Sequence, residues 1–352
     1  MFARRRRDQR PPGQAPGSGG RPRRRLRTLL VCLVIAVAGL LALGAGGVWW
    51  ATNHYGDQVE RIPHAFPDGP RPPKPDDPEG KNNHGTTFLL AGLDSRSAKP
   101  TTGGNAVADL WKAGAQRSDT LMLVHLGPGE RTSYTVSIPR DSWVPIPGHG
   151  SAKINAAFSW GGPQLLVETV EQLTRVRIDH FAVIDWHGFR SLTDAVGGVP
   201  ITVPADSYDP EQKRHFTAGT HTMNGEEALS YVRQRHGLPG GELDRIKRQQ
   251  QFLRALIGEI RDDVSITNPL KIDRMLDAIA RTVSVDDQLS NGDLRDLVLG
   301  LRHLDSGDAY FTTAPIVRSD FIDRQYVLIL DRAGLRSLCH GIETGNPPGT
   351  RK

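Results

Sequence analysis

Residues 28–51 run for 24 positions without a charged side chain, and nothing constrains this chain more. As an α-helix that stretch is about 36 Å long, enough to cross a hydrocarbon core of ~30 Å with some tilt. It follows a block of arginines and ends at Trp49-Trp50. Arginine on the cytoplasmic side and tryptophan at the far interface is the arrangement a membrane anchor favours. The expectation is a single-pass transmembrane helix over 28–51, with the N-terminus cytoplasmic and everything beyond about Thr52 extracytoplasmic, at the cell membrane. The alternative, a cleaved signal peptide, usually has a shorter apolar region.

The charge balance supports that division. Residues 1–27 hold ten arginines and one acid, Asp8, a net of +9; the whole chain carries +5, so residues 28–352 sum to 5 − 9 = −4. The basic tail has no apolar periodicity and reads as disordered. The folded part is mildly acidic, so the high overall charge is no argument for nucleic-acid binding. Cys32 lies in the apolar stretch and Cys339 near the far end, which leaves the outer domain one thiol and a stability that must come from its core.

Residues 52–85 carry seven prolines among charges and glycines and read as an extended stalk. From 86 the pattern becomes globular, and one extracytoplasmic domain is expected over 86–340, with a loose tail at 341–352. Strands are expected at 86–93, 119–126, 132–138, 178–184, 199–203 and near 309–316. Helices are expected at 106–113, 163–174, 186–196, after Asn224, and at 242–262, 269–283, 291–301 and 322–335. Strands and helices alternate without a repeat, so the fold class is α/β: a central mixed β-sheet flanked by helices.

Chemistry concentrates between Arg233 and Arg248, where five cations flank a Gly-Leu-Pro-Gly-Gly turn. Arginine grips phosphate oxygens with a planar fork, so such a cluster suits an oligophosphate. Arg233 and Arg235, two apart, would face the same way on an extended lip. Glu242, Arg245 and Gln249 share one face of a helix. Elsewhere Asp94 lies past a strand end, Arg117 and Asp119 precede a strand, Arg140 and Asp141 follow one, and Lys153-Ile-Asn155 follows a glycine-rich turn. Each is ordinary alone, as a turn residue or a surface ion pair. Together they set carboxylates and arginines at the loop edge of one sheet, where ligands of α/β proteins bind. Hard oxygen ligands beside arginines are what a Mg²⁺–diphosphate centre needs. The histidines show no zinc spacing, and no G-x-S-x-G elbow or Walker loop occurs.

The segments LLAGLDSR (89–96), RSDT (117–120), SIPRD (137–141), KIN (153–155), DHF (179–181), AVGGV (195–199) and YVRQR…ELDRIKRQQ (231–250) resemble, in order, those of the LytR–CpsA–Psr family. That resemblance implies an envelope phosphotransferase. It would move a glycopolymer from a polyprenyl-diphosphate donor to a peptidoglycan acceptor and release polyprenyl phosphate, and its partners are the membrane and the cell wall, not nucleic acid. By the same resemblance Asp94 and Asp119 hold Mg²⁺ (or Mn²⁺), and Arg117, Arg140, Arg233, Arg235, Arg245 and Gln249 line the diphosphate. Arg233, Arg235, Glu242 and Arg245 are the catalytic candidates. Glu242 stands where the family usually has Asp, and Asp244 next door is either its substitute or merely solvent-facing. Lipid chains would need an apolar tunnel, expected under the helices at 163–174 and 249–260. A lipid pyrophosphatase with water as acceptor, a non-enzymatic polymer-binding protein and a membrane-bound transcription regulator are the competing readings. The last has only the short tail inside the cell and no DNA-binding motif.

Overall fold

The computed structural model describes residues 58–74, 84–95, 97, 99–128, 132–265, 277–300, 308–345 and 347. The expected tail and anchor, 1–51, lie outside them, as do most of the helix expected at 269–283 and half of the loose tail expected at 341–352. Among the described residues no helix is long and apolar enough to cross a membrane.

A seven-stranded mixed sheet carries the fold. Its strands in chain order are β1 (Glu60–Ile62), β2 (Thr86–Ser95), β3 (Gln116–Leu126), β4 (Ser133–Ser137), β5 (His180–Asp185), β6 (Val283–Asp286) and β7 (Ala309–Thr313). Across the sheet they run β1-β6-β5-β2-β3-β4-β7. β2–β3, β3–β4 and β5–β6 pair antiparallel; β1–β6, β2–β5 and β4–β7 pair parallel. Side chains alternate along the central strands, as the pleat requires. Leu89, Ala91 and Leu93 of β2 enter the largest core, with Leu121 and Leu123 of β3. Leu90, Gly92, Thr120 and Met122 face the other way, into an apolar groove.

The helices are α1 (Asn155–Thr174), α2 (Trp186–Ala195), α3 (Gly225–Arg233), α4 (Glu242–Ser265), α5 (Asn291–Gly300) and α6 (Arg332–Glu343). α1 and α6 cover the first face, burying Phe158, Leu166, Val170, Leu335 and Cys339. On the groove face, α2, α3 and α4 pack with the hairpin Val199–Val203/Gly219–Met223 around Ile201, Tyr231, Phe252 and Leu256. Asn224 closes a capping box on α3, accepting from Glu227 N at 3.0 Å while Glu227 Oε2 accepts from Asn224 N at 3.1 Å. That satisfies two of the orphan donors at the helix start.

Several expectations are corrected. The stalk does not occupy all of 52–85: β1 pairs with β6, and Val59, Ile62, Ala65 and Phe66 are buried. Four apolar residues at the start of the stretch, two ahead of Pro63 and two between Pro63 and Pro67, supply enough burial to hold that segment on the domain. No helix forms at 106–113. The loop there is clipped to the sheet instead, Asp185 Oδ2 accepting from Thr101 N at 2.6 Å and Thr101 Oγ1 at 3.0 Å. The helix expected to open at Gly162-Pro163 begins at Asn155 and breaks at Gly161 and Gly162, whose backbones are non-helical. The helix expected at 322–335 is the second strand of the hairpin Ile316–Ile322/Gln325–Leu330, followed by α6. The five-residue apolar run 326–330 is strand-length, and Asp331 starts the helix by accepting from Gly334 N at 2.9 Å. Arg233 ends a helix, so it and Arg235 share no extended lip.

Candidate active site

The site lies at the end of β2 and β3, where the regular pleat is broken. Gly92 pairs with Thr120 and Leu93 with Ser118, so Asp119 is the extra residue of a β-bulge. A bulge bends its strand and re-aims the side chain it carries. Here the consequence is that Asp119 lines two cavities at once.

The first cavity, about 590 Å³, is polar: Asp94, Arg117, Asp119, Arg140, Asp141, Lys153, Asn155 and Arg235 line it, with Trp143, Trp160, Asp323 and Gln325. The second, about 260 Å³, is an apolar groove between the sheet and α2, α3 and α4. Leu90, Met122, Ile184, Phe189, Leu229, Val232, Phe252 and Leu256 line it, and Arg233, Arg245 and Gln249 are its polar members along with Asp119 and Asp185. The apolar wall expected under 249–260 is this groove. The other expected wall, 163–174, is not part of it: Leu166, Val167 and Val170 pack in the core on the opposite face of the sheet.

An ion-pair chain crosses the junction. Arg140 Nη1 lies 2.6 Å from Asp119 Oδ1, and its Nε is 3.9 Å from Glu242 Oε1 and 4.0 Å from Asp141 Oδ2. Arg245 Nη2 donates to Glu242 Oε1 at 2.6 Å and approaches the Asp119 carbonyl at 3.4 Å. Lys153 Nζ holds Asp141 Oδ1 at 2.8 Å. The backbone under Arg140 is fixed by Ser142 Oγ, which donates to Pro139 O at 2.7 Å, and by Leu328 N, which donates to Asp141 O at 2.9 Å. Burial opposes the charge of Arg140, but Asp119, Glu242 and Asp141 outweigh it and raise its pKa. Burial lowers the pKa of Arg245, with Glu242 pulling the other way and Arg140 adding to the fall.

Among the described residues six buried side-chain atoms have no hydrogen-bond partner within the protein, and four of them belong to these ion pairs: Arg140 Nε, Arg245 Nε, Asp141 Oδ2 and Glu242 Oε2. Orphaned buried polar atoms are costly, by roughly 1–3 kcal/mol each. Arg140 and Asp141 line the polar cleft and Arg245 the groove, so two donors and one acceptor stand where a ligand could satisfy them.

Every site residue expected from the sequence reaches this region, but in two groups. Asp94, Arg117, Arg140 and Arg235 belong to the polar cleft, Arg233, Arg245 and Gln249 to the groove, and Asp119 to both. Arg233 is held by stacking on Trp186, 3.7 Å from the ring centroid, a partner 47 positions away that no local pattern announces. Glu242 lines neither cavity; buried at 6% exposure, it stands behind Arg245. Asp244 faces away, bonded to Gly240 N at 2.7 Å and Lys247 Nζ at 3.0 Å. Those bonds, Lys247 first, lower its pKa. It does not substitute for Glu242.

The donor set suits Mg²⁺. Asp94 and Asp119 share the cleft with arginines, and Mg²⁺ is commonly held by one or two carboxylates completed by water and substrate phosphate. Among the described residues no group of three or more His, Cys, Asp or Glu is placed to hold a metal ion, and a substrate-completed site needs none.

An arginine–carboxylate cleft that shares Asp119 with an apolar groove, on a mixed α/β sheet, defines a protein with a polar and an apolar cavity side by side. A sequence model of the LytR_cpsA_psr family matches residues 60–340, and the chain belongs to that family. It is 34% identical to the "Probable cell wall biosynthesis protein LcpB" of Corynebacterium glutamicum, over 92% of this chain and 74% of that protein. It is 32% identical to the polyisoprenyl-teichoic acid–peptidoglycan teichoic acid transferase TagU of Bacillus subtilis, over 70% of this chain and 74% of that one. Its fold superimposes on the crystal structure of Bacillus subtilis TagV with a TM-score of 0.61 at 27% identity, covering 75% of this chain and 97% of that one.

Proposed function

We propose that this chain is a Mg²⁺-dependent phosphotransferase. It moves a glycopolymer from a polyprenyl-diphosphate carrier to peptidoglycan through a phosphodiester bond, in cell wall assembly. The observation that carries the reading is the meeting of polar cleft and apolar groove at Asp119, with Arg245 on the groove side. The polyprenyl chain takes the groove, the diphosphate the junction, and the saccharide the cleft. The similarity to a protein named as a teichoic acid–peptidoglycan transferase supports the same reading.

Arg233 and Arg245 hold the phosphate on the lipid side; Arg117, Arg140 and Arg235 hold the one on the glycan side. The Nε–H groups of Arg140 and Arg245, unpartnered within the protein, donate to phosphate oxygens and meet charge as it develops there. A hydroxyl of the acceptor glycan attacks the phosphorus that bears the glycopolymer. The bond from that phosphorus to the bridging oxygen breaks, and polyprenyl phosphate leaves. The hydroxyl's proton passes to Oδ2 of Asp141, which lines the cleft and has no hydrogen-bond partner within the protein. Glu242 positions Arg245. Asp94 and Asp119 would hold Mg²⁺, which when bound neutralises diphosphate charge. In this reading residues 28–51 anchor the protein as a single-pass span, N-terminus cytoplasmic, with the catalytic domain outside the cell membrane.

The test follows polyprenyl phosphate release from a short-chain polyprenyl-diphosphate oligosaccharide, in Mg²⁺ or EDTA, with and without peptidoglycan oligomers. Mg²⁺-dependent release that rises with acceptor and yields a glycan–phosphodiester conjugate is expected. Release without conjugate would replace the transferase by a pyrophosphatase, and bound, unconverted lipid would indicate a binding protein.

A further inference from the structure

The polar cleft has an aromatic wall that the diphosphate chemistry does not use. Trp160 lines it at 42% exposure and Trp143 stands on the same wall. A tryptophan left this open forfeits the burial its ring offers, and here the backbone is bent to leave it so. α1 breaks immediately after Trp160: Gly162 has φ 64 and ψ −153, a conformation essentially reserved for glycine. Trp111 lies against that kink, so that a Cβ on Gly162 would meet its ring at 3.0 Å. Gly114 N, donating to Ser159 O at 3.0 Å, ties the loop bearing Trp111 to the turn that presents Trp160. His149 packs 5.0 Å from the indole, centroid to centroid. Side chains able to bond hydroxyls share the cavity with the two rings: Asn155, Asp323 and Gln325.

An apolar ring face beside a few fixed polar groups is the composition of a site that takes a flat, hydroxylated ligand. Such a ligand has apolar C–H faces and a hydroxyl edge, as a pyranose does. We propose that Trp160, with Trp143 beside it and Asn155 and Gln325 at its edge, forms a subsite for one pyranose ring of a glycan. This rests on the transferase reading of the cleft and adds to it the residues that grip sugar rather than phosphate. The sugar belongs either to the donor, next to its diphosphate, or to the acceptor strand, next to its attacking hydroxyl; both present the same ring chemistry.

The test uses the full-length chain in detergent micelles, with wild type, Trp160→Ala and Trp160→Phe compared. Lipid-free oligosaccharides of the donor glycan and of peptidoglycan are titrated separately by saturation-transfer NMR. One of the two sets is expected to bind, with affinity falling about tenfold in Trp160→Ala, the scale of losing an aromatic anchor, and largely recovering in Trp160→Phe. Which set binds assigns the sugar. In turnover assays the KM for that same substrate should rise with kcat little changed. Equal binding by wild type and Trp160→Ala, or no binding of either set, overturns the subsite. Turnover of the lipid-linked donor by wild type is measured in parallel and tests the transferase reading separately.

Discussion

Arg245 shows how much the junction asks of single side chains. It is 5% exposed, its Nη2 is pinned by Glu242, and its Nε is without a partner. Removing one member of a buried pair leaves the other charged and desolvated, at a cost of about 3–5 kcal/mol. Arg245→Ala should therefore lower the free energy of chemical unfolding by about 3 kcal/mol as well as abolish transfer. Arg245→Lys keeps the charge but not the planar fork; unfolding should be perturbed less while turnover stays low. Equal stability of Arg245→Ala and wild type would show the pair to be solvated. Glu242→Gln tests the positioning role: it keeps an oxygen toward Nη2 and removes the charge. Its rate should fall without vanishing, whereas Asp141→Asn, which removes the proton acceptor, should abolish transfer. These residues were legible because arginine and carboxylate chemistry is written in residue type. The unpaired Nε and carboxylate oxygens were not, because partnership depends on distances between segments that are far apart in the chain.

Among the elements, those with strong local signals came through and those held by distant partners did not. β2 and β3 read clearly because their apolar runs are bounded by turn residues, and α3 because its capping box is local. β1 did not, since three residues just ahead of a proline-rich run become a strand only when Ser284, Val285 and Asp286 lie beside them. The loop over 99–115 looked helical around Ala106, yet tertiary bonds to Asp185 and Ser284 hold it open. The bulge at Asp119 left no trace in the sequence, although it gives that residue access to both cavities. The kink in α1 was half visible, as Gly162-Pro163 announced a start but not the helical segment before it. It also supplies a prediction at this scale. Gly162→Ala puts a Cβ on a backbone at φ 64 and against Trp111, and strain of this kind costs about 1–3 kcal/mol. The thermal midpoint should drop, and Trp fluorescence should change as Trp111 moves. A variant with unchanged melting and spectrum would mean that the kink relaxes freely.

At the scale of the molecule, the segment 58–74 joins the sheet edge to the face carrying α1. Arg71 Nη2 lies 2.7 Å from Glu171 Oε1, the same carboxylate oxygen accepts from Ile178 N at 2.9 Å, and the guanidinium stacks on Phe66 at 4.4 Å. Glu171 is 2% exposed, so a chain beginning at 84 would leave a buried carboxylate without its arginine and β6 without its outer neighbour. It should unfold at markedly lower denaturant than one beginning at 58, and equal midpoints would return the segment to the stalk. Stability also carries a pH signature far from the active site. Burial raises the pKa of Glu343, at the end of α6, to about 7, with Asp179 adding to the effect and His84 opposing it. A carboxyl whose folded pKa lies above its unfolded value favours folding while it is protonated. That contribution is complete below about pH 4.5 and is lost as the pH rises through about 7. His125 nearby works in the other sense: burial lowers its pKa to about 4, so its contribution is present above about pH 6.5 and is lost as the pH falls toward 4. The two oppose each other in mildly acidic solution, and only Glu343 weakens the fold between neutral and pH 8. Glu343→Gln cannot ionise. Its melting temperature relative to wild type should rise from pH 5 to pH 8, and a difference that stays constant across that range would place the Glu343 carboxylate in water.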